Sequence, residues 1–214
     1  MLVGERMSRH PITIRQDVGI DEALKLMQDE RVRRLPVLNR RGMLVGIVSE
    51  KDLLWASPSP ATSLSIYELH YLLAKMKVSD VMTKDVITVT EYTPLEEAAR
   101  IMVDNKIGGL PVLRDDGLVG IITETDLFKA FIELFGAREP GVRVTMLVPE
   151  QPGELARITG EIAGMGGNIV ALGTFLGEDP TNRLITVKVA DVDEGQLLST
   201  LEAIGMELLD VRNS

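Results

Sequence analysis

Residues 35–54 read LPVLNRRGMLVGIVSEKDLL, and residues 110–128 read LPVLRDDGLVGIITETDLF. The Leu-Pro-Val starts of the two stretches are 75 residues apart, and after the loss of one residue in the turn their Gly-Ile pairs are 74 apart. Met7 and Met82 extend the same spacing upstream. Because the register holds over this length, the chain contains an internal repeat, and each copy is expected to form the same set of elements.

The apolar pattern predicts the same elements in each copy. Apolar residues recur at positions i, i+3, i+4 and i+7 from Ile20 and again from Leu95, which indicates one amphipathic helix per copy. Short apolar runs then flank an Arg-Arg-Gly turn in the first copy and an Asp-Asp-Gly turn in the second, a pattern typical of a β-hairpin. We therefore predict the order β-α-β-β-α for each copy. Because a copy of roughly 50 residues buries too little surface alone, the copies are expected to pack as a pseudo-two-fold pair.

Outside the repeat, the sequence predicts a connecting helix and a third domain. A helical pattern begins at Ser65, and we expect this helix to close the pair or a dimer, with His70 packed or at an interface. After Phe135 the pattern changes, and strand and helix patterns follow in the order βαββαβ, a ferredoxin-like signature. The predicted fold class is α+β. The predicted segments are a first repeat at 1–54, a linker with a helix at 55–77, a second repeat at 78–135, a linker at 136–141 and a third domain at 142–214.

Composition narrows the function classes. The 214 residues include 23 Lys and Arg against 32 Asp and Glu, a net charge of -9, which argues against a nucleic-acid partner. The chain has no Cys and only two His, which excludes thiol nucleophiles, Cys-ligated zinc and imidazole-rich metal sites. No apolar run approaches the roughly 20 residues that span a bilayer, and the N-terminus lacks an apolar signal region. We therefore expect a cytoplasmic protein with no membrane partner, no catalytic residues and no metal.

Each copy ends with the same polar spacing. Ser49 precedes Asp52 by three residues, and Thr123 precedes Asp126 by three, where a predicted strand passes into a helix. One interpretation is a capping box, in which the hydroxyl and the acid satisfy backbone N–H groups at the helix start. The other is a ligand site, in which the acid accepts hydrogen bonds from both ribose hydroxyls and the helix N-terminus faces a phosphate. The residues alone leave both interpretations open.

These motifs resemble two known families. Residues 3–135 resemble a tandem pair of CBS domains, a Bateman module, in the LPV hairpins, the GIVSEKD and GIITETD endings and the repeat distance. Residues 142–212 resemble an ACT domain, with EQPGEL at 150–155 for that family's D-x-P-G-x-L and GNI at 167–169 for its G-x-N-I; Glu replaces the first Asp. The order CBS, CBS, ACT resembles the bacterial acetoin-utilisation B protein group.

The CBS resemblance implies two clefts between the copies that bind adenosine nucleotides of the AMP, ADP or ATP type, as regulatory ligands and not as required cofactors. Its implied first cleft comprises Arg33, Arg34, Ser49, Lys51, Asp52, Thr93, Ala98 and Ile107. Its implied second cleft comprises Val18, Ala23, Val32, Thr123 and Asp126. Because the second copy has Gly108 and Gly109 in place of the two arginines, we expect its cleft to take an uncharged or cationic adenosyl group, such as S-adenosylmethionine, or to stay empty.

The ACT resemblance implies an amino-acid site, commonly at a dimer interface. The implied residues are Glu150, Gln151, Pro152, Gly153, Leu155, Asn168 and Ile169. The alternative is that Pro152 is simply the first residue of a helix and that the domain only dimerises.

Together these patterns favour a homodimeric, ligand-sensing regulator without chemistry of its own, which passes nucleotide binding to its dimer or to an unidentified regulated protein, in acetoin utilisation. An assembly module with vestigial clefts is the alternative from another class, and an enzyme acting on the bound nucleotide is a third. Nucleotide binding distinguishes the first two, and product formation tests the third.

Overall fold

The computed structural model describes residues 1–56 and 76–213, which form two compact units, Met1–Leu127 and Phe128–Ser214. The first unit contains the first copy and the second copy up to Leu127, and the second unit contains the rest of the second copy's last helix and the βαββαβ segment. The α+β fold class is confirmed. The predicted connecting helix, with His70, lies outside the described residues. None of the helices in the described ranges has the length and apolar character needed to cross a membrane.

The two copies form matching sets of elements. The first copy contains α1 (Val3–Arg6), β1 (Ser8–Arg9), β2 (Ile14–Arg15), α2 (Ile20–Asp29), β3 (Arg34–Leu38), β4 (Leu44–Ser49) and α3 (Glu50–Ala56). The second contains α4 (Val78–Val81), β5 (Val89–Thr90), α5 (Leu95–Asn105), β6 (Gly109–Arg114), β7 (Gly117–Thr123) and α6 (Glu124–Leu134). The helix predicted from Ile20, the helix predicted from Leu95 and both hairpins are confirmed.

The copies exchange their first segments. Strand β1 does not join the sheet of its own copy, whose order is β2-β3-β4; it extends the other sheet, whose order is β1-β7-β6-β5. There Ser8 pairs with Ile121 and Arg9 with Gly120. In the same way, the start of the second copy contacts the first copy, through an antiparallel β-bridge between Thr83 and Ile47 of β4. Each copy is therefore completed by the start of the other.

Two glycines allow this exchange. A Cβ added at Gly46 would overlap Sδ of Met82, and one added at Gly120 would overlap Sδ of Met7. Each methionine thus lies directly over a glycine of the other copy. The repeat therefore contains the same Met–Gly packing contact twice, once between Met82 and Gly46 and once between Met7 and Gly120.

The second unit has the predicted ferredoxin-like order. Its elements are β8 (Val142–Pro149), α7 (Glu154–Gly164), β9 (Asn168–Leu176), β10 (Asn182–Ala190), α8 (Glu194–Ala203) and β11 (Glu207–Asn213). The sheet is antiparallel in the order β11-β8-β10-β9. Alternate residues of β8, from Val142 to Val148, are buried against one core with Ile158 and Ile162 of α7 and Leu197 and Leu201 of α8.

Residues 135 and 136, which precede β8, pack on the sheet of the second unit. The ring of Phe135, which follows α6, stacks on that of Phe175 in β9 with centroids 5.8 Å apart. Lys188 of β10 is only 4% exposed, and its Nζ donates a hydrogen bond to the carbonyl oxygen of Gly136 at 3.1 Å. The carbonyl oxygen of Gly136 therefore provides a hydrogen-bond acceptor for the buried ammonium group of Lys188.

Candidate functional site

The first unit contains a cleft of about 670 Å³ between the two copies. The first copy lines it with Arg33, Arg34, Ile47, Ser49, Glu50, Lys51, Asp52 and Trp55. The second copy lines it with Thr83, Asp85, Val86, Ile87 and Asn105–Gly109. Residues from both copies are needed because the exchanged segment at 83–87 runs beside β4, which ends at the cleft.

Ser49 and Asp52 meet at the junction of β4 and α3. Oδ2 of Asp52 accepts hydrogen bonds from the backbone N–H of Ser49 at 2.9 Å and from its Oγ at 2.6 Å. The N–H of Asp52 donates to Oγ of Ser49 at 3.3 Å, which completes the capping box. Both hydrogen bonds that the carboxylate accepts go to Oδ2, and Oδ1 accepts none from the part of the chain that the structure describes. The cap and a ligand can therefore be served by different oxygens of Asp52.

The second copy repeats this geometry with less access. Oδ2 of Asp126 accepts hydrogen bonds from the N–H of Thr123 at 3.0 Å and from its Oγ1 at 2.8 Å. Asp126 is 7% exposed, whereas Asp52 is half-buried. The two matched carboxylates thus differ in how readily a ligand can reach them.

The side chain of Arg34, a residue of the first copy, contacts the second copy. Its Nη2 is 3.6 Å from Oε2 of Glu124, the first residue of α6. Burial lowers the pKa of the Arg34 guanidinium, and the carboxylates of Glu124 and Asp52 act in the opposite direction. A guanidinium stays charged at neutral pH even with a lowered pKa. Arg34 therefore carries a half-buried positive charge between an acid of each copy.

Lys51 and Trp55 form the outer wall of the cleft on α3. Nζ of Lys51 lies 4.3 Å from the centroid of the Trp55 ring, a cation–π contact. The Trp55 side chain is 77% exposed, so much of the ring is open to a ligand. Sequence reasoning missed Trp55, although the only Trp of the chain stands four residues after Lys51, on the same helical face.

Some residues implied by the family resemblance lie elsewhere. The cleft lining includes Ile107 but neither Thr93 nor Ala98. Ala98 is fully buried in α5, and Oγ1 of Thr93 accepts a hydrogen bond from the N–H of Thr90. Of the side chains expected beside Asp126, three belong to or pack against the core of the first copy. These are Val18, Ala23 and Val32.

In the second unit, the turn after β8 forms its own polar contacts. Glu150 pairs with Arg183, and Nε2 of Gln151 donates to Oε1 of Glu154 at 2.6 Å. Glu154 is buried and also pairs with Arg157 at 2.7 Å. Pro152, Gly153 and Leu155 of this turn and helix start are exposed.

The other implied ACT residues lie at the far end of the sheet. Pro149 is opposite Asn182 at one end of β10, and Asn168 is opposite Ala190 at the other. Eight residues of strand separate these pairs, which is roughly 25 Å. A single chain therefore does not bring Asn168 and Ile169 to the turn at 150–153.

No group of three or more His, Asp or Glu side chains within residues 1–56 and 76–213 is placed to hold a metal ion. The cleft lining combines the cations Arg33, Arg34, Lys51 and Lys106 with the acids Glu50, Asp52 and Asp85. In a chain of net charge -9, a cleft lined by four cations favours an anionic ligand, although Glu124 offsets part of the charge of Arg34.

Two family models match the chain. The CBS domain model matches residues 3–59 and 78–133, and the TTHA0829-like ACT domain model matches residues 140–212. Together they span both units and confirm the CBS pair followed by an ACT domain.

Solved structures similar to this chain include proteins with CBS domains. A Vibrio cholerae protein described as an acetoin utilization protein (AcuB) is 34% identical, with a TM-score of 0.53, over 65% of this chain and 96% of that one. The CBS domain pair of protein MJ0100, in complex with 5'-methylthioadenosine and S-adenosyl-L-methionine, is 29% identical, with a TM-score of 0.52, over 65% of this chain and 98% of that one. CBSX2, in complex with AMP, is 33% identical, with a TM-score of 0.51, over 61% of this chain and 96% of that one.

Proposed function

Because the chain belongs to the CBS domain family and carries an ACT domain after its CBS pair, we propose that it is a regulatory protein that senses an adenosine nucleotide in the cleft at Asp52. The observation that carries the proposal is the cleft itself. Within the described residues, Oδ1 of Asp52 accepts no hydrogen bond, and Asp52 lines the same cleft as Lys51, Arg33 and Arg34. A ribose needs an acceptor for its hydroxyls and a phosphate needs cations, and this cleft supplies both.

Each part of the ligand has a counterpart in the lining. Oδ1 of Asp52 accepts hydrogen bonds from the ribose hydroxyls, while Ser49 and the first turn of α3 face the sugar and phosphate. Arg33, Arg34 and Lys51 bind the phosphate. Ile107 contributes apolar contact to the base. The complexes of similar CBS proteins with AMP and with S-adenosyl-L-methionine support an adenosyl ligand.

The remaining assignments extend this proposal. A second site at Thr123 and Asp126 takes an uncharged or cationic adenosyl compound, and it is the weaker site because Asp126 is only 7% exposed. The ACT unit binds an amino acid between two copies, since one chain leaves the turn at 150–153 and Asn168 far apart. The protein acts as a cytoplasmic homodimer without catalysis and regulates a partner in acetoin utilisation, a role supported by the similarity to the Vibrio cholerae protein.

Isothermal titration of the full chain with AMP, ATP, NAD and S-adenosylmethionine tests the proposal. We expect AMP or ATP to bind, and Asp52→Asn to weaken that binding tenfold or more, because it removes a charge-assisted acceptor of the ribose. The matched variant Asp126→Asn alters the same motif in the other copy and is expected to leave this binding within about twofold. Thermal unfolding of both variants separates loss of the cap from loss of the ligand contact.

Two results contradict the proposal. If none of the four compounds binds the wild-type protein, an assembly module with vestigial clefts becomes the better explanation. If Asp126→Asn abolishes AMP binding and Asp52→Asn does not, the ligand is in the other cleft.

A further inference from the structure

Arg34 belongs to the first copy but lies against the second. Its guanidinium faces Glu124 at the start of α6, and the carboxylate of Asp52 in the cleft also favours its charged form. Resting on the proposed function, we propose that the two copies share Arg34: the phosphate of a bound nucleotide competes with Glu124 for this guanidinium. Glu124 then sets the affinity of the cleft for phosphorylated ligands.

The local packing shows that the position of Arg34 is built into the repeat. Gly108 and Gly109 stand in the second copy where Arg33 and Arg34 stand in the first. A Cβ added at Gly108 would overlap Nη2 of Arg34, and one added at Gly109 would lie 3.2 Å from its Cδ. The two glycines therefore leave the space through which Arg34 reaches Glu124. Their presence is explained by this contact and not by a special backbone angle.

The contact with Glu124 is suited to exchange. The separation of 3.6 Å is beyond a good hydrogen bond, and the Glu124 side chain is 52% exposed, so water can replace the arginine readily. The Arg34 side chain is only 23% exposed, so the packing around it restricts its conformations. A phosphate offers a shorter, bidentate contact and is the stronger partner.

Competition between Glu124 and the phosphate lowers the affinity of the cleft for AMP. Removing the Glu124 charge frees Arg34 before the ligand arrives, so AMP should bind more tightly. A partly exposed ion pair of this kind corresponds to an increase of about two- to fivefold. Adenosine has no phosphate and should gain nothing.

A double-mutant cycle tests the sharing of Arg34. AMP and adenosine are titrated into the full-length wild type, Glu124→Gln, Arg34→Ala and the double variant, and thermal unfolding checks that each is folded. We expect Glu124→Gln to tighten AMP binding about two- to fivefold in the wild-type background and to have no effect once Arg34 is absent. Asp115→Asn removes the same charge from an exposed turn of the second copy and serves as the matched control.

The outcomes separate this inference from the proposed function. If AMP binds the wild type and Glu124→Gln changes its affinity equally with and without Arg34, the charge acts only at a distance and the sharing of Arg34 is wrong, while nucleotide sensing stands. If Glu124→Gln tightens adenosine as much as AMP, the competition with phosphate is also wrong. If AMP does not bind the wild type, the proposed function and this inference fail together.

Discussion

At the scale of single residues, Lys51 has a partner that a ligand can replace. Its ammonium lies over the ring of Trp55 at 4.3 Å, and an exposed cation–π contact contributes about 0.5–1 kcal/mol. A charge-assisted hydrogen bond to phosphate contributes about 1.5–3 kcal/mol. The phosphate should therefore draw Lys51 away from the ring and leave Trp55 free to contact the base.

This exchange can be followed directly, because Trp55 is the only Trp in the chain. We expect AMP to change the intrinsic fluorescence, and Lys51→Met to weaken AMP about tenfold while leaving adenosine within twofold. Titrations of both ligands into both proteins, followed by fluorescence, measure the four affinities. An equal loss for AMP and adenosine would show that Lys51 supports the cleft without contacting the phosphate.

The sequence predicts part of the cleft lining but not all of it. Arg33, Arg34 and the residues from Ser49 to Asp52 lie together in the cleft because they belong to two short motifs at the ends of paired strands. Family resemblance alone predicts Ala98 in the cleft, yet Ala98 is fully buried in α5. The reach of Arg34 to Glu124 could not be predicted, because it depends on how the two copies pack.

At the scale of elements, the hairpins were predictable and the exchange was not. Each hairpin joins strands that are neighbours in sequence, so the turn and the apolar runs are sufficient to predict it. Strand β1 has two residues, and its partner β7 follows more than a hundred residues later. So short a pairing has no pattern of its own, and only the repeated Met and Gly positions marked the contact that holds it.

We expect Gly46→Ala to destabilise the protein by about 1–3 kcal/mol, because its Cβ would overlap Sδ of Met82 and lie 3.1 Å from the carbonyl oxygen of Thr83. Chemical denaturation of Gly46→Ala, Met82→Ala and the double variant measures the coupling between the two positions. The alanine at 46 should cost much less once Met82 is truncated.

Gly160→Ala controls for the substitution itself, since nothing lies within 4 Å of its added Cβ in α7. It should be neutral or stabilising, because alanine favours a helix over glycine. Additive effects of Gly46→Ala and Met82→Ala would contradict the idea that the exchange is held by this methionine.

The two units of the chain have separate hydrophobic cores. One core of the first unit gathers Ile20, Met27, Leu35 and Leu53 with their neighbours, whereas that of the second unit lies between its sheet and the helices α7 and α8. The candidate cleft lies entirely within the first unit. A ligand that binds there stabilises the first unit directly, because it binds the folded and not the unfolded form.

Scanning calorimetry should therefore show two unfolding transitions, only one of which responds to AMP. At about 100 times its Kd a ligand contributes about 2.7 kcal/mol, which for a unit spanning Met1–Leu127 corresponds to a rise in Tm of roughly 10 °C. The transition of the second unit should not move, and Asp52→Asn should abolish the shift of the first at the same AMP concentration. A single transition that AMP raises as a whole would show that the two cores unfold as one cooperative structure, and binding at Asp52 would then stabilise the ACT unit as well.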